Sequence, residues 1–269
     1  MAAVVALAGC ASGSGTDGDA DATQAGSGYL TEGKLTIGTG EPAYYPWVID
    51  DDPESGEGFE SAVAYAVAEE LGFAAEDVVW VRTTFDQAIA PGPKDFDFNL
   101  QQFSITDERE ESVDFSSPYY ETTQVVITVE GSPAADAASV ADLKPLLVGA
   151  QTGTTSLDAI EEVIAPDAGA QVFNTNDDAK LALQAGQVDA IVVDLPTAFY
   201  LTGAELDGGL IVGQLPGTEG ADRLGLVLEK DSPLTADVTA AVDALREDGT
   251  LDELAEEWLG GDDTAPVLE

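Results

Sequence analysis

From Leu35 onward, short β-branched or apolar runs alternate with stretches whose apolar residues recur at helical spacing. Strand, helix, strand order sustained over most of 269 residues confines the chain to an α/β fold with mostly parallel sheets flanked by helices. The expected strands are Leu35 to Gly38, Val78 to Arg82, Phe96 to Leu100, Val125 to Val129, Leu146 to Gly149, Gln171 to Phe173, Ala190 to Val193 and Leu224 to Leu228. A helix is expected from Phe59 to Leu71, where Phe59, Val63, Ala66, Val67 and Leu71 share one face and Gly72 can end it. Asn176 is expected to cap a helix through Ala185, and Ser232-Pro233 to open one through Leu245. Thr250 with Glu253 reads as a capping box for a last helix ending near Leu259-Gly260.

In such folds ligands sit where loops leave the carboxyl ends of strands, which directs attention to four loops. After Thr39 come Glu41, Tyr44, Tyr45 and Trp47, and after Leu100 comes the run from Gln101 to Arg109. The chain has only four arginines, so one placed just past a strand end is a candidate clamp for a carboxylate. After Gly149 comes Gln151-Thr152-Gly153-Thr154-Thr155, a hydroxyl-rich turn whose N–H groups can hold an anion, and after Val193 comes Asp194, an acid suited to a ligand cation. Taken singly, each loop is also accounted for by ordinary helix capping or local ion pairing. Together they supply a fork for a carboxylate, an acid for an ammonium and aromatics for a side chain, which is the inventory for an α-amino acid.

The composition narrows the chemistry. With no histidine, His-based hydrolysis, His-ligated zinc and the usual neutral-pH switch are excluded, and one cysteine excludes disulfides and thiolate clusters. No cofactor and no metal are expected. Nine cations against 52 anions give a net charge of −43, which disfavours nucleic acid and anionic lipid as partners. Such a charge repels itself in dilute buffer, whereas at about 1 M salt the Debye length shrinks to about 3 Å. A hydrophobic fraction of 44% places that acidity on a real core.

The N-terminus carries a separate signal. Met1 to Gly9 is a short apolar run, and Leu7-Ala8-Gly9-Cys10 resembles a bacterial lipobox, in which a signal peptidase cleaves before a lipid-bearing cysteine. The resemblance implies that residues 1–9 are the remnant of a signal peptide, that Cys10 is lipidated, and that residues 10–28 are a flexible lipid-anchored linker. Residues 11–28 have the Gly, Ser and Asp composition of a solvated tether, spanning on the order of 20 to 25 Å.

Several words occur in a fixed order across the rest of the chain: Leu35-Thr-Ile-Gly-Thr39 with Tyr44-Tyr-Pro-Trp47, Gly58-Phe-Glu60, Ser104-Ile-Thr-Asp-Glu-Arg109, Val113-Asp-Phe-Ser116, Pro118-Tyr-Tyr120, Val148-Gly-Ala-Gln-Thr-Gly-Thr-Thr155 and Val188-Asp-Ala-Ile-Val-Val-Asp194. In these words the chain from Lys34 to Leu259 resembles the bacterial extracellular solute-binding proteins of the polar amino-acid uptake type, family 3, which serve ABC permeases. Two departures are Glu60 where the family usually has Asp, and Asp107 where it usually has proline.

The resemblance implies a two-lobed, periplasmic-binding-protein-like (type II) fold with the ligand cleft between the lobes. It implies a first lobe of residues 33–121 plus 220–261, a second of residues 122–218 and a C-terminal tail of residues 262–269. It implies that Arg109 grips the ligand α-carboxylate with Ser104, Thr154 and Thr155, and that Asp194 binds the α-ammonium, shared with Gln102. Tyr44, Phe85 and Phe103 would pack on the ligand side chain, with Glu41 near its tip. The implied partners are a free amino acid, polar or basic, and the transmembrane subunits of a permease. The chain would act as a monomer on the extracellular face of the cell membrane, or in the periplasm where an outer membrane exists. Two other functions remain on the same residues: an enzyme resembling cyclohexadienyl dehydratase, with Glu41 as general acid, and a ligand-sensing lipoprotein with a membrane signalling partner.

Overall fold

The computed structural model describes residues 28–218, 222–260 and 264–269. The signal remnant, Cys10 and all but the last residue of the linker lie outside the described residues, as do the expected lobe limits at 220 and 261.

Ten strands are described: β1 (Leu35–Gly40), β2 (Val78–Thr83), β3 (Phe98–Asn99), β4 (Val113–Thr122), β5 (Gln124–Val129), β6 (Val148–Gln151), β7 (Gln171–Phe173), β8 (Ala190–Asp194), β9 (Gly209–Gln214) and β10 (Asp222–Glu229). They form two five-stranded sheets, ordered β2-β1-β3-β10-β4 and β7-β6-β8-β5-β9. In the first, β10 runs antiparallel to β3 and β4 while the other four strands share a direction. In the second, β5 is the strand that opposes β8 and β9. The sheets are therefore mixed, yet mostly parallel as expected, and the reversed strand of each is the one that has just arrived from the other sheet. The chain crosses at Thr123, between β4 and β5, and again between β9 and β10.

The helices are α1 (Phe59–Glu70), α2 (Phe85–Ile89), α3 (Asp107–Glu110), α4 (Val140–Leu143), α5 (Thr155–Ala159), α6 (Asn176–Gln184), α7 (Leu195–Tyr200), α8 (Thr235–Glu247) and α9 (Thr250–Leu259). Wider helical turns extend α5 through Ile164 and α7 through Glu205. Both faces of each sheet are covered, as parallel strands require. On the first sheet Leu35, Ile37 and Leu226 pack with Phe59, Val63, Val67, Val238 and Leu251 of α1, α8 and α9, while Val227 on the other face meets Phe103 and Ala88. Val125 and Val126 of β5 face opposite layers of the second sheet. Full burial of a side chain such as Phe59 contributes about 2 kcal/mol, so these layers dominate the fold's stability.

Helix α1 begins where Gly58 adopts φ 99°, a left-handed conformation, and a Cβ there would stand 2.6 Å from the Trp47 carbonyl oxygen. Only glycine fits, and Glu60 donates its N–H to that same oxygen at 2.9 Å.

Several boundaries differ from expectation. β4 and β9 were not foreseen, β3 is only Phe98–Asn99, and β6 lies two residues later than expected. Thr175, not Asn176, caps α6, because its hydroxyl stands where it accepts the Asp178 N–H at 3.0 Å. Helix α9 has no capping box; Gly249 takes the cap position at φ 89°, and Thr250 is already inside the helix. Ser232-Pro233 precedes rather than opens α8, with Ser232 Oγ accepting the Leu234 N–H at 3.2 Å. The C-terminal residues form more than a tail: Gln214 donates to the Pro266 carbonyl at 2.7 Å, Leu268 donates back to Gln214 at 2.9 Å, and Ala265 and Leu268 are buried. Residues 264–269 thus extend the second sheet, although α9 before them packs on the first. No helix among the described residues is long and apolar enough to cross a membrane.

Candidate functional site

A cavity of about 300 Å³ lies between the two sheets, walled by residues from both. Nine of the ten residues expected to meet ligand line it: Glu41, Tyr44, Phe85, Gln102, Ser104, Arg109, Thr154, Thr155 and Asp194. Phe103 does not. It is fully buried beneath Phe85, ring centroids 4.7 Å apart, because the residue after a strand end that packs on Val113 and Val227 is more stable inside than in the cleft.

On the first wall, α3 is capped by Thr106, whose hydroxyl accepts the Arg109 N–H at 3.2 Å, and this fixes the start of the Arg109 side chain. The guanidinium donates to the Ser104 carbonyl at 2.6 Å and lies 5.5 Å from the centre of the Phe85 ring. It also crosses the cleft to donate to the Gly153 carbonyl at 2.9 Å. With five N–H donors, the fork retains capacity for a ligand carboxylate. Burial lowers the Arg109 pKa, opposed by the carboxylates of Asp158, Asp222, Asp194 and Glu108, and an arginine stays charged regardless.

On the second wall, the turn after β6 is shaped by Thr154, which donates to the Gln151 carbonyl at 2.7 Å and accepts the Leu157 N–H at 3.2 Å to start α5. This places the Thr155 hydroxyl 3.2 Å from that of Ser104 on the opposite wall. Asp194 ends β8 with part of its surface open to the cleft and accepts from Gln124 Nε2 at 2.8 Å. Withdrawal from water pushes its carboxyl up to about 8, and Asp222 adds to the push, against pulls from Gln124 and Arg109. An acid held this way gains most from a cation placed beside it.

Gln102 reaches the cleft differently from expectation. At φ 53° its backbone N–H donates to Glu60 Oε1 at 2.7 Å, and its side-chain amide donates to the other oxygen of the same carboxylate. Both of its nitrogens are thereby tied to Glu60, while its side-chain oxygen and backbone carbonyl remain as acceptors on a residue that lines the cavity. Glu60 is almost wholly buried, and its carboxyl is pushed up to about 7 by burial, offset by hydrogen bonds from Tyr119 and Gln102. Tyr44 packs its hydroxyl against Thr175 and Asp177 of the other wall, and burial first, then Asp177, raise it to about 12.

Further bonds close the cleft. Trp47 Nε1 donates to Thr197 Oγ1 at 3.0 Å, and the Tyr45 and Tyr200 rings meet across the mouth at 4.3 Å. Among the described residues, no group of three or more acidic or cysteine side chains could hold a metal ion.

Sequence reasoning passed over Glu60, Gln124 and Asp222. Glu60 was visible only as a departure in the Gly58-Phe59-Glu60 word. Gln124 carried a usable signal, a glutamine heading the apolar run of β5, where a buried amide needs partners. Asp222 had none, since its neighbourhood is made by the second crossing.

The geometry has counterparts in known proteins. The model of the bacterial extracellular solute-binding proteins, family 3, matches residues 35–261. The L-arginine-binding protein of Pseudomonas aeruginosa is 31% identical over 230 residues, covering 82% of this chain and 86% of that protein. Among solved structures, an ancestral arginine-binding protein bound to glutamine superposes with a TM-score of 0.72 at 31% identity, covering 86% of this chain and all of that one. An ancestral amino acid-binding protein described as a precursor of cyclohexadienyl dehydratase superposes with a TM-score of 0.69 at 33% identity, covering 84% of this chain and 95% of its own. By fold, by the matched residues and by its relatives, the chain belongs to the bacterial extracellular solute-binding proteins of family 3.

Proposed function

We propose that this protein is the amino-acid receptor of an ABC importer, capturing its ligand by closing two lobes. One observation carries the reading: Arg109, from the first sheet's side, and Asp194, from the second's, sit on facing walls of one small cavity. Arg109 takes the α-carboxylate, with the hydroxyls of Ser104 and Thr155 and the turn at Thr154 beside it. Asp194 takes the α-ammonium. Phe85 and Tyr44 pack on the ligand side chain, and Glu41 and Asp86, both lining the cavity, favour a polar or basic one. A ligand held by both lobes stabilises the closed form by its differential affinity, and the closed form is the one a permease would recognise.

The lobes in this reading are residues 33–121 plus 220–261 and residues 122–218. The lipid anchor at Cys10 tethers a monomer to the outer face of the cell membrane. Residues 29–269 are to be melted with each standard amino acid in low and in high salt. A ligand at a hundred times its Kd stabilises by about 2.7 kcal/mol, so one chemically coherent group must raise the melting temperature clearly. No shift from any amino acid would contradict the receptor reading.

A second reading draws on Asp194, which near neutral pH carries a proton and so could act as a general acid in a dehydratase. Turnover of prephenate would favour it, and its absence alongside amino-acid binding would reject it.

A further inference from the structure

Asp222 opens β10 where the chain returns to the first sheet, opposite Thr122, and it is only 6% exposed. It does not line the cavity. Its Oδ2 accepts from Gln124 Nε2 at 2.8 Å, and the same nitrogen donates to Asp194 Oδ1 at 2.8 Å. The orientation of that amide follows from its surroundings: with Asp194 ionised, as ligand capture requires, both acids only accept and the nitrogen faces them, while Gln124 Oε1 accepts from Ser156 Oγ at 2.6 Å. Thr155 Oγ1 stands 3.4 Å from the same nitrogen. One amide thus spans two acids whose oxygens are no more than about 5.6 Å apart. Gln124 in turn is fixed at the crossing, where its N–H donates to Thr218 Oγ1 at 3.3 Å and the Thr123 and Thr218 hydroxyls lie 2.8 Å apart.

We propose that Asp222 is a positioning residue for ligand capture: through the Gln124 amide it holds the Asp194 carboxylate at the cleft wall, and it joins the ammonium site to the crossing between the sheets. The proposal rests on the receptor reading and deepens it. Asp222 belongs to the first sheet, while Gln124 and Asp194 belong to the second, so the Gln124–Asp222 bond joins the two sheets at the crossing and the Gln124–Asp194 bond carries that link to the cleft. Asp194 cannot turn away from a ligand without giving up the amide, and the amide cannot follow without giving up its bond to Asp222. The other charged or titratable groups acting on Asp194 are Arg109 of α3, Glu60 of α1 and Tyr119 and Tyr120 of β4, whereas the side-chain hydrogen bonds of Gln124 go to Asp194, Asp222, Thr155 and Ser156.

The test is calorimetric titration of the full chain with the twenty standard L-amino acids, then of variants with the tightest binder. Asp222→Ala should weaken binding about tenfold, as expected for coupled neighbours in one network. Asp222→Asn keeps an oxygen that accepts from Gln124, so at high pH it should bind within about threefold of the original chain. In both variants the pH at which affinity declines on the acid side should move lower, because a negative neighbour of Asp194 is gone. In a Gln124→Met background, Asp222→Ala should cost less than about twofold further. Unchanged affinity in Asp222→Ala, full additivity with Gln124→Met, or an unmoved acid limb in Asp222→Asn would each overturn the assignment while leaving the receptor reading intact. Failure of the unaltered chain to bind any amino acid would overturn both. Melts of the unliganded variants identify any that do not fold, in which case the Asp222→Asn pH profile decides.

Discussion

The Arg109 guanidinium, carried on the first sheet's side of the cleft, donates to the backbone carbonyl of Gly153 on the second's, 2.9 Å away. The side chain assigned to ligand capture is therefore also a bond between the lobes. Gly153 sits there at φ 70°, a left-handed conformation that glycine adopts without the strain a Cβ would bring.

Replacing Arg109 with Ala should weaken amino-acid binding by at least about thirtyfold, since truncating one partner of a desolvated charge pair costs about 2–5 kcal/mol. Its hydrogen-bond partners in the unliganded protein are two backbone carbonyls, with the Phe85 ring beside it, so the melting temperature should fall by no more than about 3 °C. Arg109→Lys keeps the charge and loses the fork, and should recover only part of the affinity. Calorimetry and a thermal melt check both halves.

Asp194 must be ionised to hold an ammonium, and its carboxyl in the ligand-free protein is pushed up to about 8. Affinity should therefore fall as pH drops through about 8, with most of one proton released per ligand bound at pH 7. Asp194→Asn should bind about a hundredfold more weakly and lose that acid limb. Titrations in buffers of different ionisation enthalpy measure the proton release directly.

Glu60 makes an opposite statement about stability. Its folded pKa, about 7, lies above the unfolded carboxylate value of about 4.3, so the native state holds more protons between these limits and stability declines as pH rises through that window. Glu60→Gln removes the titration. The melting temperature of this variant minus that of the unaltered protein should grow more positive from about pH 4 to pH 7, whatever its offset from lost acceptors for Tyr119 and Gln102. A constant difference across the series would rule out the buried ionisation.

The C-terminal segment offers a test of lobe stability separate from the site. Removing residues 264–269 exposes the surface covered by Leu268 and Ala265 and leaves the Gln214 backbone N–H and carbonyl without partners. The melting temperature should fall by about 5 °C. Amino-acid affinity should hardly change, because none of the removed residues lines the cavity.

Much of this molecule was legible in the sequence for a physical reason: both sheets are covered on both faces, so β5 and β8 carry the apolar runs Val125–Ile127 and Ala190–Val193, and β1 alternates Leu35 and Ile37 with small residues. β4 did not, because Val113–Thr122 mixes Ser116, Ser117 and Pro118 with aromatics and is held by antiparallel pairing to a strand a hundred residues away. β9 was hidden likewise, by glycines at a sheet edge. At the site, the cavity residues on the four loops after Thr39, Leu100, Gly149 and Val193 were readable from those loops, whereas Phe85 came only with the family resemblance. What those residues touch was not: Phe103 slips under Phe85, Gln102 turns to Glu60, and Asp222 reaches Asp194 through Gln124, each a tertiary choice that no local pattern encodes.

The central claim is that one cleft grips both charged ends of a free amino acid, Arg109 at the carboxylate and Asp194 at the ammonium. The most direct test is calorimetric titration with the tightest-binding amino acid and with its two analogues, one lacking the α-carboxylate and one lacking the α-ammonium. Loss of about thirtyfold or more for each analogue is the predicted result, because each leaves a desolvated charge unpaired. An analogue that binds as tightly as the parent amino acid would contradict the assignment at that end, and equal binding of both would contradict the account.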